Sequence, residues 1–214
     1  MNIILSFDLD NTLINNQEGI VNSFNYALRK YNIPTLDRLK IEKMIGTPLD
    51  DMFKEVSEIN PEILSAAFRE YYMEKGIYQG KLLPGVKETL EKLKQNFFTL
   101  GVITSKRQDL AVKVTKILGI FIYFKYVLGE SENIKSKLDP NLKKHLLTKY
   151  RKYKIVIIGD HPKDRALAEN INAPFIGVLT GNHTAEELRR GYTTKTLILK
   201  SVKELFPNLI YSLF

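Results

Sequence analysis

The chain contains no cysteine. That excludes disulfides, thiolate metal sites and cysteine nucleophiles, and it fits an intracellular, cytoplasmic setting. No apolar run is long enough to span a bilayer, so no membrane partner is expected. The start lacks a positive segment followed by a long apolar stretch, so no signal peptide is read there. There is no internal repeat and no low-complexity tract. The three histidines, His145, His161 and His183, show no metal-ligand spacing and read as loop or surface residues. What remains is a chain of 214 residues, 44% hydrophobic and 26% charged. That is the profile of a globular protein, sized for one large domain or a core carrying a smaller one.

Net charge is +8, and the surplus is local. Residues 135–154 hold Lys135, Lys137, Lys143, Lys144, Lys149, Arg151, Lys152 and Lys154 against a single acid, Asp139. A basic stretch can bind nucleic acid or steer small anions. No interleaved aromatics or binding module accompany it, so a solvated helix face is the plainer reading and no nucleic-acid partner is expected.

Hydrophobic periodicity divides the chain. Residues 3–7 read as a short buried strand. Residues 17–31 then carry Ile20, Phe24, Ala27, Leu28 and Tyr31 at helical spacing. Two more helical patterns follow, Leu49-Met52-Phe53-Val56 and Ile63-Leu64-Ala67-Phe68-Tyr71, separated by breakers at Gly46-Thr47-Pro48 and Asn60-Pro61. From residue 81 the pattern alternates. Helices are predicted at 86–95, 107–118, 140–152 and 163–171, and strands at 98–103, 126–128, 155–158, 175–179 and 197–199. Strands alternating with such helices predict an α/β fold with a doubly wound, Rossmann-like parallel sheet. The expected layout is a core of residues 1–14 and 81–214 with an inserted all-helical cap at 15–80.

In an open parallel sheet, ligands bind beyond the carboxyl ends of the strands. Asp8 and Asp10 follow the first strand. Thr104 and Ser105 follow strand 98–103. Asp160 follows strand 155–158, with Asp164 four residues on. Singly, each could be a turn residue or a helix cap. Together they bring four acids to one sheet edge, which demands a cation. Carboxylate oxygens select a hard metal such as Mg²⁺. Four acids with one Mg²⁺ and one lysine sum to −1, which predicts one acid, Asp10, protonated when substrate binds.

These residues fall into four ordered motifs. Phe7-Asp8-Leu9-Asp10-Asn11-Thr12 resembles the first motif of the haloacid dehalogenase-like hydrolases. Leu100-Gly101-Val102-Ile103-Thr104 resembles the second, Lys137-Leu138-Asp139-Pro140 the third, and Gly159-Asp160-His161-Pro162-Lys163-Asp164 the fourth. Phe175-Ile176-Gly177-Val178-Leu179-Thr180-Gly181 and His183-Thr184-Ala185-Glu186-Glu187-Leu188 resemble the segment after the fourth motif in phosphoglycolate-phosphatase-like members. The chain departs from the pattern at His161, where relatives often have Ser, at Leu138, where Pro is usual, and at Ser105-Lys106, where Asn is common.

The resemblance implies a Mg²⁺-dependent phosphatase acting on a small phosphorylated metabolite. Asp8 would be the nucleophile, forming an aspartyl-phosphate, and Asp10 the acid and then the base. Mg²⁺ would be held by Asp8, the backbone carbonyl of Asp10, and Asp160, with Asp164 in support. Thr104, with Ser105 beside it, and Lys137 would bind the phosphoryl group, Lys135 being the competing lysine. A phosphomutase of the same superfamily is the alternative within this reading. A basic nucleic-acid-binding protein is the alternative outside it. Dehalogenation is disfavoured, because family dehalogenases lack the second acid that Asp10 supplies. Neither the choice of substrate nor the oligomeric state is written in these motifs.

Overall fold

The structure, a computed structural model, describes residues 2–191 and 193–214. Six strands form one sheet: β1 (Ile3–Phe7), β2 (Thr99–Arg107), β3 (Phe124–Glu130), β4 (Lys154–Gly159), β5 (Phe175–Val178) and β6 (Thr196–Leu199). Their spatial order is β3-β2-β1-β4-β5-β6, and every neighbouring pair is parallel. This is the doubly wound order whose winding reverses between β1 and β4. All five residues of β1 are buried. A strand covered on both faces must be apolar throughout, which is why Ile3-Ile4-Leu5 reads as an unbroken run.

The chain divides into two compact units, residues 1–14 with 82–214, and residues 15–81. In the first unit, α5 (Val86–Gln95), α6 (Gln108–Ile117), α7 (Pro140–Lys149) and α8 (Pro162–Asn170) alternate with the strands. Leu142, Leu146, Leu167 and Ala168 pack with Ile4, Ile103, Ile157 and Phe175 in one buried cluster. Helices α7 and α8 both begin with proline, whose missing N–H costs nothing at a first helical position.

The second unit contains α1 (Gln17–Lys30), α2 (Arg38–Met44), α3 (Leu49–Lys54) and α4 (Pro61–Glu74). Phe24 of α1 stacks on Phe53 of α3 with ring centroids 4.2 Å apart, and Tyr26 stacks on Tyr71 of α4 at 4.8 Å. Tyr72 is buried, and its hydroxyl accepts a hydrogen bond from Asn16 Nδ2. The short helix α2 was not predicted. Its apolar positions are few, and Leu39 among them is 71% exposed, so the helical period is weak there.

Candidate active site

The pairing of β1 runs to its last residue, and the Asp8 N–H still donates to the Ile158 carbonyl at 2.7 Å. Asp8 is therefore held by the sheet itself, on the β1 side of the winding reversal. The chain then turns. The N–H groups of Leu13 and Ile14 both donate to the Leu9 carbonyl, and Asn11 takes a left-handed φ of 59°. Asn tolerates that region better than most residues. The turn buries Thr12, whose hydroxyl donates to Asp160 Oδ1 at 2.7 Å. Thr12 thus ties the loop after β1 to the loop after β4, a positioning role.

Helix α8 fixes the other two acids. His161 caps it by accepting from the Lys163 N–H through Nδ1, and Asp164 Oδ2 accepts in return from the His161 N–H at 3.2 Å. A carboxylate in a first helical turn also faces the positive end of the helix dipole. Two glycines make room. A β-carbon at Gly159 would fall 2.3 Å from the Asp164 carboxylate, and one at Gly181 would fall 1.9 Å from Asp160 Oδ2. Gly181 is a site residue that the motifs place next to the acids only through the fold.

One oxygen from each of Asp8, Asp160 and Asp164 lies within 4.8 Å of the others, and all three residues are buried. Lys137, also buried, joins them: its ammonium is 2.8 Å from Asp8 Oδ1 and 2.6 Å from Asp164 Oδ1. Lys135 is exposed, and its backbone N–H donates instead to Asp139. The structure therefore brings Lys137, and not Lys135, to the acids.

Burial pushes Asp8 up to about 7, with the Asp164 and Asp10 charges adding and Lys137 opposing. Burial, then the charges of Asp8 and Asp164, raises Asp160 well above the usual carboxylate range. Asp164 is raised by burial against the pull of Lys137. Burial also works against the Lys137 ammonium, yet Asp164 and Asp8 outweigh it and hold it above the usual lysine value. Three carboxylates and one lysine sum to −3 + 1 = −2. All the donors are oxygens and the deficit is that of a divalent cation, so the residues fit a hard ion such as Mg²⁺.

The fourth acid stands apart. The Asp10 carboxylate is not in that cluster; its Oδ2 lies 3.0 Å from Lys106 Nζ. The −1 count included a single lysine; the structure adds a second, Lys106, paired with Asp10. The structure also corrects strand 98–103, because β2 runs on to Arg107. Thr104 and Ser105 lie inside it rather than after it. They still pass the last β1 pairing, Phe7 with Val102. Thr104 is buried, Ser105 is half-buried, and Thr104 Oγ1 accepts from the Lys106 N–H at 3.2 Å.

His161 and His183, read from the sequence as loop or surface residues, meet edge to face with ring centroids 4.6 Å apart. Burial, His183 and the nearby lysines hold the His161 imidazole down at about 3, so it is neutral at physiological pH. Nothing in their sequence spacing announces the pair; the loops after β4 and β5 create it.

The profile of the haloacid dehalogenase-like hydrolases matches residues 4–178. "Probable phosphatase IndB" of Dickeya dadantii is 34% identical over 200 residues, covering 88% of this chain and 86% of that protein. A protein of Vibrio vulnificus named "Phosphoglycolate phosphatase" is 29% identical, covering 86% of this chain and 87% of its own. Among solved structures, a haloacid dehalogenase-like hydrolase from Streptococcus pneumoniae superposes with a TM-score of 0.86 at 26% identity, covering 99% of this chain and 98% of that one.

Proposed function

Since the chain belongs to the haloacid dehalogenase-like hydrolases, we propose that it is a Mg²⁺-dependent phosphatase. It removes phosphate from a small phosphorylated metabolite through an aspartyl-phosphate on Asp8, in the manner of a phosphoglycolate phosphatase. The observation that carries this reading is the buried group of Asp8, Asp160 and Asp164 around Lys137, two positive charges short of neutral.

Asp8, Asp160 and Asp164 would hold the metal, with the Asp10 backbone carbonyl completing the protein ligands. Held by these residues, Mg²⁺ would supply positive charge to the phosphoryl oxygens. An Asp8 carboxylate oxygen attacks phosphorus, forming a P–O bond as the bond to the leaving oxygen breaks. Asp10 gives that oxygen a proton. In the second half, Asp10 takes a proton from water as the water attacks phosphorus, and the Asp8 P–O bond breaks to release phosphate. The Lys137 ammonium and the Thr104 hydroxyl stabilise the phosphoryl charge, with Ser105 at its side. Thr12 keeps Asp160 aimed.

We assign the helical unit, residues 15–81, the role of a cap that selects substrate. The ground is its insertion after the turn that follows Asp8 and Asp10. The same reading places the enzyme in the cytoplasm, where small phosphorylated metabolites are turned over. The test is phosphate release from a panel of phosphate esters, with and without Mg²⁺, for the wild type and Asp8→Asn. Turnover that needs Mg²⁺ and vanishes in Asp8→Asn is expected. Equal turnover by the two proteins would overturn the mechanism.

A further inference from the structure

We propose that Phe97 and the apolar surface around it pair two copies of this chain face to face. The proposal is independent of the phosphatase reading and uses none of the acids.

Four helices of this fold end in the same way. After α1, α5, α6 and α8 the chain takes one residue of left-handed φ, at Asn32, Phe97, Gly119 and Asn172. In each case the N–H of that residue donates to the carbonyl three residues back, and the next N–H donates to the carbonyl five back. Glycine and asparagine suit this conformation, whereas a bulky aromatic is strained in it. At one of four equivalent positions the chain therefore places Phe where it elsewhere places Asn or Gly. The phenyl ring gains no packing in return, because Phe97 is 95% exposed. A side chain that strains its own backbone and lies open to water points to a partner outside the molecule.

Phe97 is not alone. It precedes β2 as Phe121 and Ile122 precede β3, and Leu100 of β2 pairs with Phe124 of β3. The two strand entries thus stand side by side at the amino edge of the sheet, opposite the edge that holds the acids. The single helical turn Phe121–Tyr123 packs on α5, where the Tyr123 hydroxyl donates to Glu91 Oε1 at 2.7 Å. Ile122 is 81% exposed, and Phe121 and Ile117 are partly so. The short helix Pro207–Tyr211 adds half-exposed Tyr211, whose ring lies 5.5 Å from that of Phe98.

Together Phe97, Ile117, Phe121, Ile122 and Tyr211 leave about three whole side chains' worth of surface in water, roughly 600 Å² at about 200 Å² each. A standard interface buries about 800 Å² on each partner, a little more than half of it apolar. This surface is enough for the apolar core of such an interface, and it sits at the upper end of what monomers expose. Apolar burial is non-directional. The surface is therefore complementary to itself, and a twofold axis closes the contact. Two lysines border it: exposed Lys94 near the end of α5, and Lys116, whose Nζ lies 5.1 Å from the centre of the Phe121 ring. Facing copies bring these like charges to a shared rim, where salt screens their repulsion. Self-association through this surface strengthens with salt, whereas attachment to an anionic lipid surface would weaken with it.

Sedimentation velocity on the full chain tests this, from about 1 to 100 μM protein at low and high salt. The wild type is expected to form a dimer of twice 24.7 kDa with a Kd of about 10 μM or tighter, and tighter still at high salt. Phe97→Asn installs the residue used at the equivalent positions 32 and 172, so it keeps the fold. It should weaken the dimer by at least about tenfold, because a twofold axis counts each substitution twice. Phe97→Asn with Ile122→Ser should be monomeric throughout, with circular dichroism unchanged. A wild type that is monomeric at about 100 μM overturns the proposal, as does a dimer that loosens as salt rises. So does a folded double variant that dimerises like the wild type. A monomeric wild type that binds phosphatidylserine vesicles only while Phe97 is present overturns it in favour of a lipid surface.

Discussion

Lowering the pH from 7 to 5 is expected to weaken Mg²⁺ binding by about a hundredfold. The reason lies in Asp8. Burial pushes its carboxyl up to about 7, with the Asp164 and Asp10 charges adding to that and Lys137 opposing. A metal needs the carboxylate, so below pH 7 it must displace a proton. Two pH units below that value, displacement costs about 2.7 kcal/mol, which is two decades in Kd. Asp160 and Asp164 are raised as well, so the slope should be one proton per pH unit or steeper. Stability follows the same linkage. The metal-free fold keeps the Asp8 proton up to about pH 7, whereas an unfolded aspartate loses it near 3.9. Asp8 therefore contributes stability below about pH 4 that is lost as pH rises to about 7, up to about 4 kcal/mol. His161 acts in reverse. Held at about 3 chiefly by burial, it makes stability rise with pH between about 3 and 6.5. The two trends oppose each other in chelator-treated protein, so the Mg²⁺-induced increment is the clean readout. Isothermal titration with Mg²⁺ at pH 5, 6, 7 and 8 measures it, supported by thermal unfolding with and without the ion. Asp8→Asn should flatten the dependence by about one proton. A Kd unchanged between pH 5 and pH 8 would refute the reasoning.

Three further outcomes are expected. Gly181→Ala places a β-carbon 1.9 Å from Asp160 Oδ2; a displacement of about 1 Å at a catalytic site costs about a hundredfold in rate, and kcat/KM with CD as a folding check tests it. Thr12→Val removes the hydroxyl that donates to Asp160, which should lower stability by about 1–3 kcal/mol in urea unfolding and weaken Mg²⁺ binding in the same protein. Lys137→Ala strips the only lysine from three buried acids among the described residues; loss of activity and about 3–5 kcal/mol of destabilisation without metal are expected, against about 0.5 kcal/mol or less for exposed Lys135→Ala.

The sheet was legible because its strands are apolar runs bounded by turns, and buried parallel strands have few other ways to be written. Boundaries were less so. The end of β2 carries Thr104-Ser105-Lys106-Arg107, polar enough to read as a loop, yet β3 pairs with it as far as Arg107. The meeting of Asp8, Asp160, Asp164 and Lys137 could be anticipated from one rule, that side chains at the carboxyl ends of parallel strands share an edge. Pairings made by loops carried no such signal. His161 and His183 are brought together by two turns whose conformations the sequence does not spell out.

Lys106 is the instructive case, because a signal for it existed. Lys106 stands two after Thr104 near the end of β2, and Asp10 stands two after Asp8 in the turn beyond β1. Once Asp8 and Thr104 are placed at one edge, residues two positions further on lie close to that edge as well. A buried or half-buried carboxylate without a cation is costly, so the nearest lysine at that edge is its natural partner. The contact at 3.0 Å is that partner. What hid it was the assumption that β2 ends at Ile103. A strand stopped there does not carry residue 106 to that edge, and the charge count then runs one lysine short.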